Sequence, residues 1–508
     1  MPETAATLQQ KIPAAGRGQA WIVLLFSFAL FLSAAAMFMM QPMMGKMLLP
    51  RIGGTPAGWI TAVAFFQLML LLGYLFAHGM ARFSPRSHGL GYLALLIIGA
   101  TVLPLSLPTD INAAHINAGG VFMLLLASAG LPFIALSATA ATLQRLFLTT
   151  GHAQASDPYF LYAASNLGSF AGLLLYPVAV EPFTTLDTQA EAWFYAYGLL
   201  GICAAGCLIA GMKKTQAQIE TAQTMPAGKD MLRWGWLAFI PSALLLAVTT
   251  HIVTDIISAP LIWVLPLAAY LLTFVMAFSR RQIIPAVFLQ KITPAVIAFA
   301  FAHTLMMGGY LSKSIAIMAL HLFSFSVIAL YCHQRLATAR PPASHLTAFY
   351  LMIALGGALG GALNAFAAPM LLNTLAEYPV LLMAAALAAW PFRGAFTGKK
   401  IRIAFFMICA TAVVLLFMVK DPFATSTTIM LLLAMASFAL SYPRGLVVLA
   451  LVFFAVGKGF YKQEDVILSE RNFFGVLRVV ETTTQDSAGN DYRLRKFMHG
   501  TTLHGFQV

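Results

Sequence analysis

Apolar runs of about 18 to 25 residues recur from Trp21 to about Phe460, interrupted by short stretches carrying Gly, Pro and isolated charges. Each run matches the ~20 helical residues needed to cross ~30 Å of hydrocarbon, where a helix satisfies its own backbone hydrogen bonds. The runs centre near residues 20–40, 58–80, 89–107, 119–143, 159–180, 192–212, 234–254, 259–279, 284–306, 314–334, 346–371, 378–392, 401–419, 425–441 and 445–460. They predict an all-α polytopic membrane protein of about 14–15 transmembrane helices. The first run contains the small-residue stretch Ser33 to Ala36, as a signal peptide would, but it is longer than a typical h-region and is read as the first membrane helix.

Two polar interruptions divide the pattern. The stretch 213–233 carries Lys213, Lys214, Pro226, Gly228, Lys229 and Arg233, as a cytoplasmic linker between two bundles would. It separates an N-terminal bundle over 1–212 from a C-terminal bundle over 234–460. No letter-by-letter repeat relates the two. Beyond about Phe460 charges crowd together, from Lys462 to Lys496, so 461–508 lies in water. There Phe473 to Val480 is strand-like, Asp486 to Asp491 is a turn cluster around Gly489, and Tyr492 to Met498 can run back, predicting a short C-terminal β-hairpin tail. An isolated hairpin is marginally stable, so the tail calls for a partner.

Composition sharpens this reading. The chain is 60% hydrophobic and 9% charged, which no soluble fold could bury. Its formal charge of +13 is spread in ones and twos between apolar runs instead of clustering on one face, which argues against nucleic acid. Counted in alternate loops, Lys and Arg total about 18 on the side of the N-terminus and about 4 on the other, placing the N-terminus in the cytoplasm. Cys203, Cys207, Cys332 and Cys409 all fall in apolar runs without metal-ligand spacing.

Several stretches together resemble bacterial inner-membrane proteins in which a multi-span, transporter-like region is fused to a spermidine-synthase-like domain. They are QPMMGKMLLPRIGG from Gln41, FFQLMLLLGYLFAH from Phe65, DPYFLYAASNLGS from Asp157, YPVAVEP from Tyr176, VTTHIVTDI from Val248, PLIWVLPLAAYLLTF from Pro260, LTAFYLMIALGGALGGALNAF from Leu346 and ERNFFGVLRV from Glu470. The closing HGTTLHGFQ from His499 is similar to the start of the synthase-like part. The resemblance implies a polyamine-related membrane module. It also implies that the glycine-rich donor loop and catalytic Asp lie beyond Val508, since eight residues follow Gly500. No catalytic residue, cofactor or metal is assigned within this sequence, and aminopropyl transfer by it is not expected. The expected partners are the lipid bilayer, a polyamine or other small cation, and a separate synthase-like chain. The alternatives are a major-facilitator-like transporter of a small cationic or polar solute, and a non-catalytic scaffold.

Candidate residues carry two readings each. His251 and Asp255 lie four apart, so on a helix they share a face and form either an ion pair linked to protons or an interfacial helix end. His303, His321 and His333 fall in neighbouring spans, with His321 the most central, as relays or as hydrogen-bonded packing residues. Gly356, Gly357, Gly360 and Gly361 form small-xxx-small patterns for close helix packing, and Asn364 follows, available to a neighbouring helix or a polar ligand. Gln41, Pro42, Lys46 and Pro50 to Gly54 form either a re-entrant segment or a surface turn. Asp157, Asn166 and Glu181 bracket or enter the fifth span and could face a polar cavity. In the tail, His499, His504 and Gln507 are ligand candidates; on one strand the two histidines would point to opposite faces unless the chain turned between them.

Overall fold

The computed structural model describes residues 19–52, 56–108, 117–155, 161–212, 226–256, 262–279, 282–306, 315–342, 345–388, 465–472, 475–485, 491–499 and 502–508. The spans expected at 401–419, 425–441 and 445–460 lie outside them, as does Asp157. Before these come α1 (Ala20–Ile52), α2 (Pro56–Met80), α3 (Pro85–Ala100), α4 (Ala118–Leu148), α5 (Tyr162–Phe183) and α6 (Leu186–Met212). Then follow α7 (Gly228–His251), α8 (Val264–Phe278), α9 (Ala286–Met306), α10 (Ile315–Thr338), α11 (Leu346–Leu371) and α12 (Glu377–Ala388). Eight of the helices are long and apolar enough to cross a membrane by themselves.

Local sequence explains where these helices deviate. α1 runs unbroken through Pro42 and Pro50, so the irregular segment expected from Gln41 onward is helical up to Ile52. Gln41 and Pro42 are buried within the bundle, where a proline inside a helix is tolerated. α7 begins at Gly228, so the polar end of the expected linker, Lys229 to Arg233, forms its first turns. Four of the described helices widen into π turns, and three of these, at Leu126–Gly130, Tyr176–Val180 and Leu363–Ala367, end two residues before a proline, Pro132, Pro182 or Pro369. Each proline lacks the N–H for the carbonyl four residues back, and that carbonyl belongs to Ser128, Val178 or Ala365 inside the π turn.

The first six helices and the next six pack by the same rules. α1 packs on α4, α5 and α6, and α4 packs on α2 and α3; six positions on, α7 packs on α10, α11 and α12, and α10 packs on α8 and α9. Contacts α3 with α6 and α9 with α12 also correspond. Between the sets, α2 meets α11 and α5 meets α8, a pair of contacts related by the same exchange. The relation reaches single glycines. A Cβ at Gly168 or Gly172 of α5 would strike the backbone of Phe31 or Ala35 in α1, and one at Gly356 or Gly360 of α11 would strike the backbone around Gly235 or Ala243 in α7. In lipid, where burial of apolar surface between helices gains little, such close backbone approach is a main source of association.

The tail is larger than the expected hairpin. The pair β2 (Gly475–Gln485) and β3 (Asp491–His499) is flanked by β1 (Asp465–Asn472) and β4 (Thr502–Gln507), giving a four-stranded antiparallel sheet in the order β1-β2-β3-β4. Gly475 opens β2 at φ 139°, a conformation that excludes a side chain there. The added strands give β2 and β3 neighbours on both edges, which answers the instability of a lone hairpin. The sheet also docks on the helices. Arg471 makes two hydrogen bonds to the Glu377 carboxylate, at 2.8 and 3.0 Å, and one to Thr374 O at 2.7 Å, while Ser469 reaches Asn373 O. These contacts sit at the start of α12, the end of the bundle opposite to that where α1 begins; we call these the far and near ends.

Candidate functional site

The seam between the two six-helix sets brings neutral polar side chains to mid-helix depth. Gln67 of α2 donates from Nε2 to Ser242 Oγ of α7 at 2.8 Å, and Ser242 donates to Gly357 O of α11 at 3.1 Å. Asn364 donates to Ala243 O and Gly360 O at 3.1 and 3.0 Å. Lower down, Tyr350 of α11 donates to Gln144 Oε1 of α4 at 3.3 Å. Gln67 Oε1, Asn364 Oδ1 and Gln144 Nε2 are buried without a hydrogen-bond partner in the protein. A buried amide atom left unpaired costs about 1–3 kcal/mol, so three along one seam mark a place where polar capacity exceeds what packing needs.

Aromatic layers close this seam at both ends. At the far end Trp59 of α2 stacks on Trp263, the residue before α8, at 3.4 Å between ring centroids, and Phe122 of α4 meets Phe366 of α11 edge-on. At the near end Tyr350 lies between Tyr74 and Tyr162, while Tyr162 also meets Phe274 and Phe278 of α8. His78 of α2 and Thr347 of α11 add a hydrogen bond of 3.0 Å. The polar groups at mid-depth are thereby shut off from both surfaces.

A second cluster lies inside the α7–α12 set toward its far end. His321 Nε2 is 3.0 Å from His303 Nδ1, and His321 Nδ1 is 3.0 Å from the Tyr378 hydroxyl. His251 packs against both, its ring centroid 4.7 Å from that of His321 and 5.1 Å from that of Tyr378. The chain has two consistent polarities. If Tyr378 donates to Nδ1, His321 donates from Nε2 to His303; moving one proton at each nitrogen reverses every bond. Among the described residues no group of three or more His, Cys, Asp or Glu is arranged to hold a metal ion.

The remaining sequence candidates are distributed. Asp255 lies in the π turn Ile252–Ile256 that continues α7, and its side chain is outside the described residues. His333 is fully buried, bonded to Thr273 Oγ1 at 3.1 Å, with Tyr270 and Phe274 at its edges. Asn166 is half-buried on α5, one turn from Ser169. Glu181 forms an ion pair with Lys46 of α1 at the far end. His499 and His504 do not share a strand: β3 ends at His499, the chain reverses, and their rings sit 5.7 Å apart on β3 and β4. Gln507 is exposed on β4, opposite Arg495.

Sequence reading missed Gln67, Gln144 and Ser242. Each sits in an apolar run, where an amide or hydroxyl is costly enough to be a signal. It missed too that His251, His303, His321 and Tyr378, from four separate helices, meet.

No protein-family model matches the chain, and neither does any curated protein sequence. Solved structures similar to it include the inward-open xylose transporter XylE from E. coli, at 14% identity and a TM-score of 0.48, covering 75% of this chain and 97% of that one. The human organic anion transporter MFSD10 (TETRAN) is similar at 15% identity and a TM-score of 0.46, over 74% of this chain and 99% of that one. The major facilitator superfamily transporter FucP in its outward conformation is similar at 15% identity and a TM-score of 0.37, over 71% and 95%.

Proposed function

We propose that the chain is a membrane transporter that works by alternating access of two halves, α1–α6 and α7–α12, on a small polar solute held at their seam. The observation that carries this reading is the set of buried, unpaired amide atoms of Gln67, Gln144 and Asn364 on a seam formed by two sets of helices with matching packing. Parallel six-helix repeats rocking about a central site are a general solution to alternating access. The aromatic layers at either end are the gates such a cycle needs.

The seam groups are neutral, so a neutral hydrogen-bonding solute fits them better than a cation. The polyamine reading keeps one specific support, the resemblance of the chain to proteins fused to a spermidine-synthase-like domain, and Asp255 is the residue on which it turns. Among the described acidic side chains of the helical body, Glu181, Asp187, Glu191, Asp230 and Glu377 all lie at helix ends. Uptake of labelled neutral polyols, sugars and amides, and of spermidine, into proteoliposomes tests the proposal. Linking cysteines at Trp59 and Trp263 with a short bis-thiol reagent should stop uptake, and linked protein that transports at the unlinked rate would contradict it. If spermidine is the solute taken up, Asp255→Asn should abolish its uptake.

We further infer a bacterial inner-membrane location with the N-terminus cytoplasmic, from the distribution of Lys and Arg. On this reading the sheet, docked at the far end of α12, is extracytoplasmic. The span count of three expected between 401 and 460 is odd, as needed to join the near end of α12 to a far-end sheet. Impermeant thiol reagents should reach a cysteine in 213–225 from the cytoplasmic side, and a cysteine at Asp491 from the opposite side only. Labelling of both from one side would overturn the placement of the sheet.

A further inference from the structure

At the near end, away from the seam, a cavity of about 360 Å³ opens among α7, α9 and α10, lined chiefly by Arg233, Gln290, Tyr331, Gln334, Arg335 and Thr338. Two guanidinium groups converge on it, with amides and hydroxyls, and no carboxylate contributes to its lining. Asp230 stands a turn earlier on α7, outside the lining. The Arg335 guanidinium lies 5.8 Å above the Tyr331 ring, which orients it before any ligand arrives. Such a site favours an anion able to accept several hydrogen bonds, and a phosphate group is the common one.

Two features narrow the ligand further. Gln334 is 4% exposed and lines the cavity; its Nε2 donates to Ile284 O at 2.8 Å, and its Oε1 is buried without a hydrogen-bond partner in the protein. That oxygen only accepts, so it asks for a ligand with a donor beside its phosphate, such as a hydroxyl. Next to the lining residues in the chain are exposed apolar side chains: Leu232 beside Arg233, and Ile283, Val287 and Phe288 around Ala286, are all more than half exposed. A soluble phosphate has no use for such a surface, whereas acyl chains would cover it. The cavity is also at the helix ends on the side that carries Lys229, Arg233, Arg335 and Arg340. Basic pockets between helices at that depth suit anionic headgroups.

We propose that this cavity binds the headgroup of an anionic phospholipid, its phosphate between Arg233 and Arg335 and a headgroup hydroxyl on Gln334 Oε1, with the acyl chains along Leu232, Val287 and Phe288. Phosphatidylglycerol has this chemistry. The site is separate from the seam, so it stands whether or not the transport reading does.

Native mass spectrometry of delipidated protein, offered equal amounts of phosphatidylglycerol and phosphatidylcholine, tests it. At about fivefold per arginine near the membrane surface, the two should favour phosphatidylglycerol by about 30-fold. Arg233→Gln with Arg335→Gln should remove the preference, and Gln334→Leu should lower phosphatidylglycerol retention while leaving phosphatidic acid, which lacks the headgroup hydroxyl, unchanged. Ala286 also lines the cavity, and Ala286→Trp, which fills it without altering charge, gives a second route should the arginine variants fail to fold; it too should abolish the preference. Equal retention of both lipids by the unaltered protein, or an undiminished preference in Ala286→Trp, would overturn the proposal. Displacement of phosphatidylglycerol by millimolar inorganic phosphate would reassign the site to a soluble anion and overturn the lipid as its ligand.

Discussion

The first six helices and the second six share a packing plan and differ in the chemistry placed on it. The interior of the first set holds a cluster of hydroxyls: Ser33 donates to Thr139 at 2.9 Å, and Tyr92 shares a 2.7 Å hydrogen bond with the same threonine. His88, buried at the near end, accepts at Nδ1 from Arg145 at 2.9 Å, and the ring's Nε2–H is thereby left to donate to Thr142. One tautomer is fixed by that arginine, which also closes the end of α2 through Met80 O and Phe83 O. In the second set the interior holds the His303, His321 and Tyr378 chain, where among the described residues no arginine bonds a ring nitrogen as Arg145 does at His88. A scaffold set by backbone approach at glycines leaves the interior free to carry either static or reversible hydrogen bonding.

The sets differ also in what is attached to them. α12 carries the sheet through the Arg471 and Glu377 pair, whose side chains are 7% and 5% exposed. Removing one member strands a buried charge, so Arg471→Ala should weaken docking of the sheet by about 3–5 kcal/mol. Hydrogen exchange in β1 should rise sharply while exchange in α1 to α6 stays unchanged. The exposed pair of Arg495 and Glu481 is the contrast, and Arg495→Ala should cost less than about 1 kcal/mol. Equal effects from the two substitutions would mean that the sheet is not held where Glu377 is.

Next in size are the glycines that make the sets alike. Gly168→Ala and Gly356→Ala should each lower stability by about 1–3 kcal/mol, because the added methyl meets backbone that cannot retreat without moving α1 or α7. Gly198→Ala, where nothing lies within 4 Å, should change the melting temperature little. A large loss at only one of the two packed glycines would break the correspondence between the sets.

The smallest effects probe how the sets differ. His321→Leu leaves His303 and Tyr378 each short of a buried partner and should cost about 1–3 kcal/mol, while Thr139→Val should cost about 1 kcal/mol. Nitrogen-15 NMR of histidine-labelled protein adds a readout that packing alone would not move. The His303 signal should shift in His321→Leu and stay in place in Thr139→Val.

Much of this was legible in the chain. The positions of the spans up to Glu377 follow from runs of apolar residues, and the polar stretch after Met212 falls between α6 and α7. The correspondence between the sets was not legible, because lipid accepts Leu, Ile, Phe, Val and Met almost interchangeably and the letters therefore drift. What persists is a pair of glycines four apart, a π turn and a proline: Gly168, Gly172 and Pro182 in α5, Gly356, Gly360 and Pro369 in α11. The second glycine pair reads as a packing motif, with four glycines in six residues; its counterpart in α5 is two isolated glycines, a weaker signal. The amide seam and the histidine chain depend on contacts between residues as far apart as Gln67 and Ser242, or His251 and Tyr378, which periodicity does not encode. The tail's inner strands are visible as a hairpin; β1, DVILSERN, crowds Asp465, Glu470 and Arg471 around a short apolar stretch and lacks the alternation that marks a strand.

The central claim is that the seam opens to each side in turn. With Cys203, Cys207, Cys332 and Cys409 replaced by serine, a cysteine at Gln67 reports this directly, since Gln67 lies between the two aromatic layers. In oriented vesicles the account predicts that an impermeant thiol reagent modifies it from the near side and, in a separate experiment, from the far side, each slowly because both layers are closed in the structure described here. Linking Trp59→Cys to Trp263→Cys should abolish labelling from the far side alone. Labelling from neither side, in protein that remains folded, would contradict alternating access and leave the helical body as a scaffold.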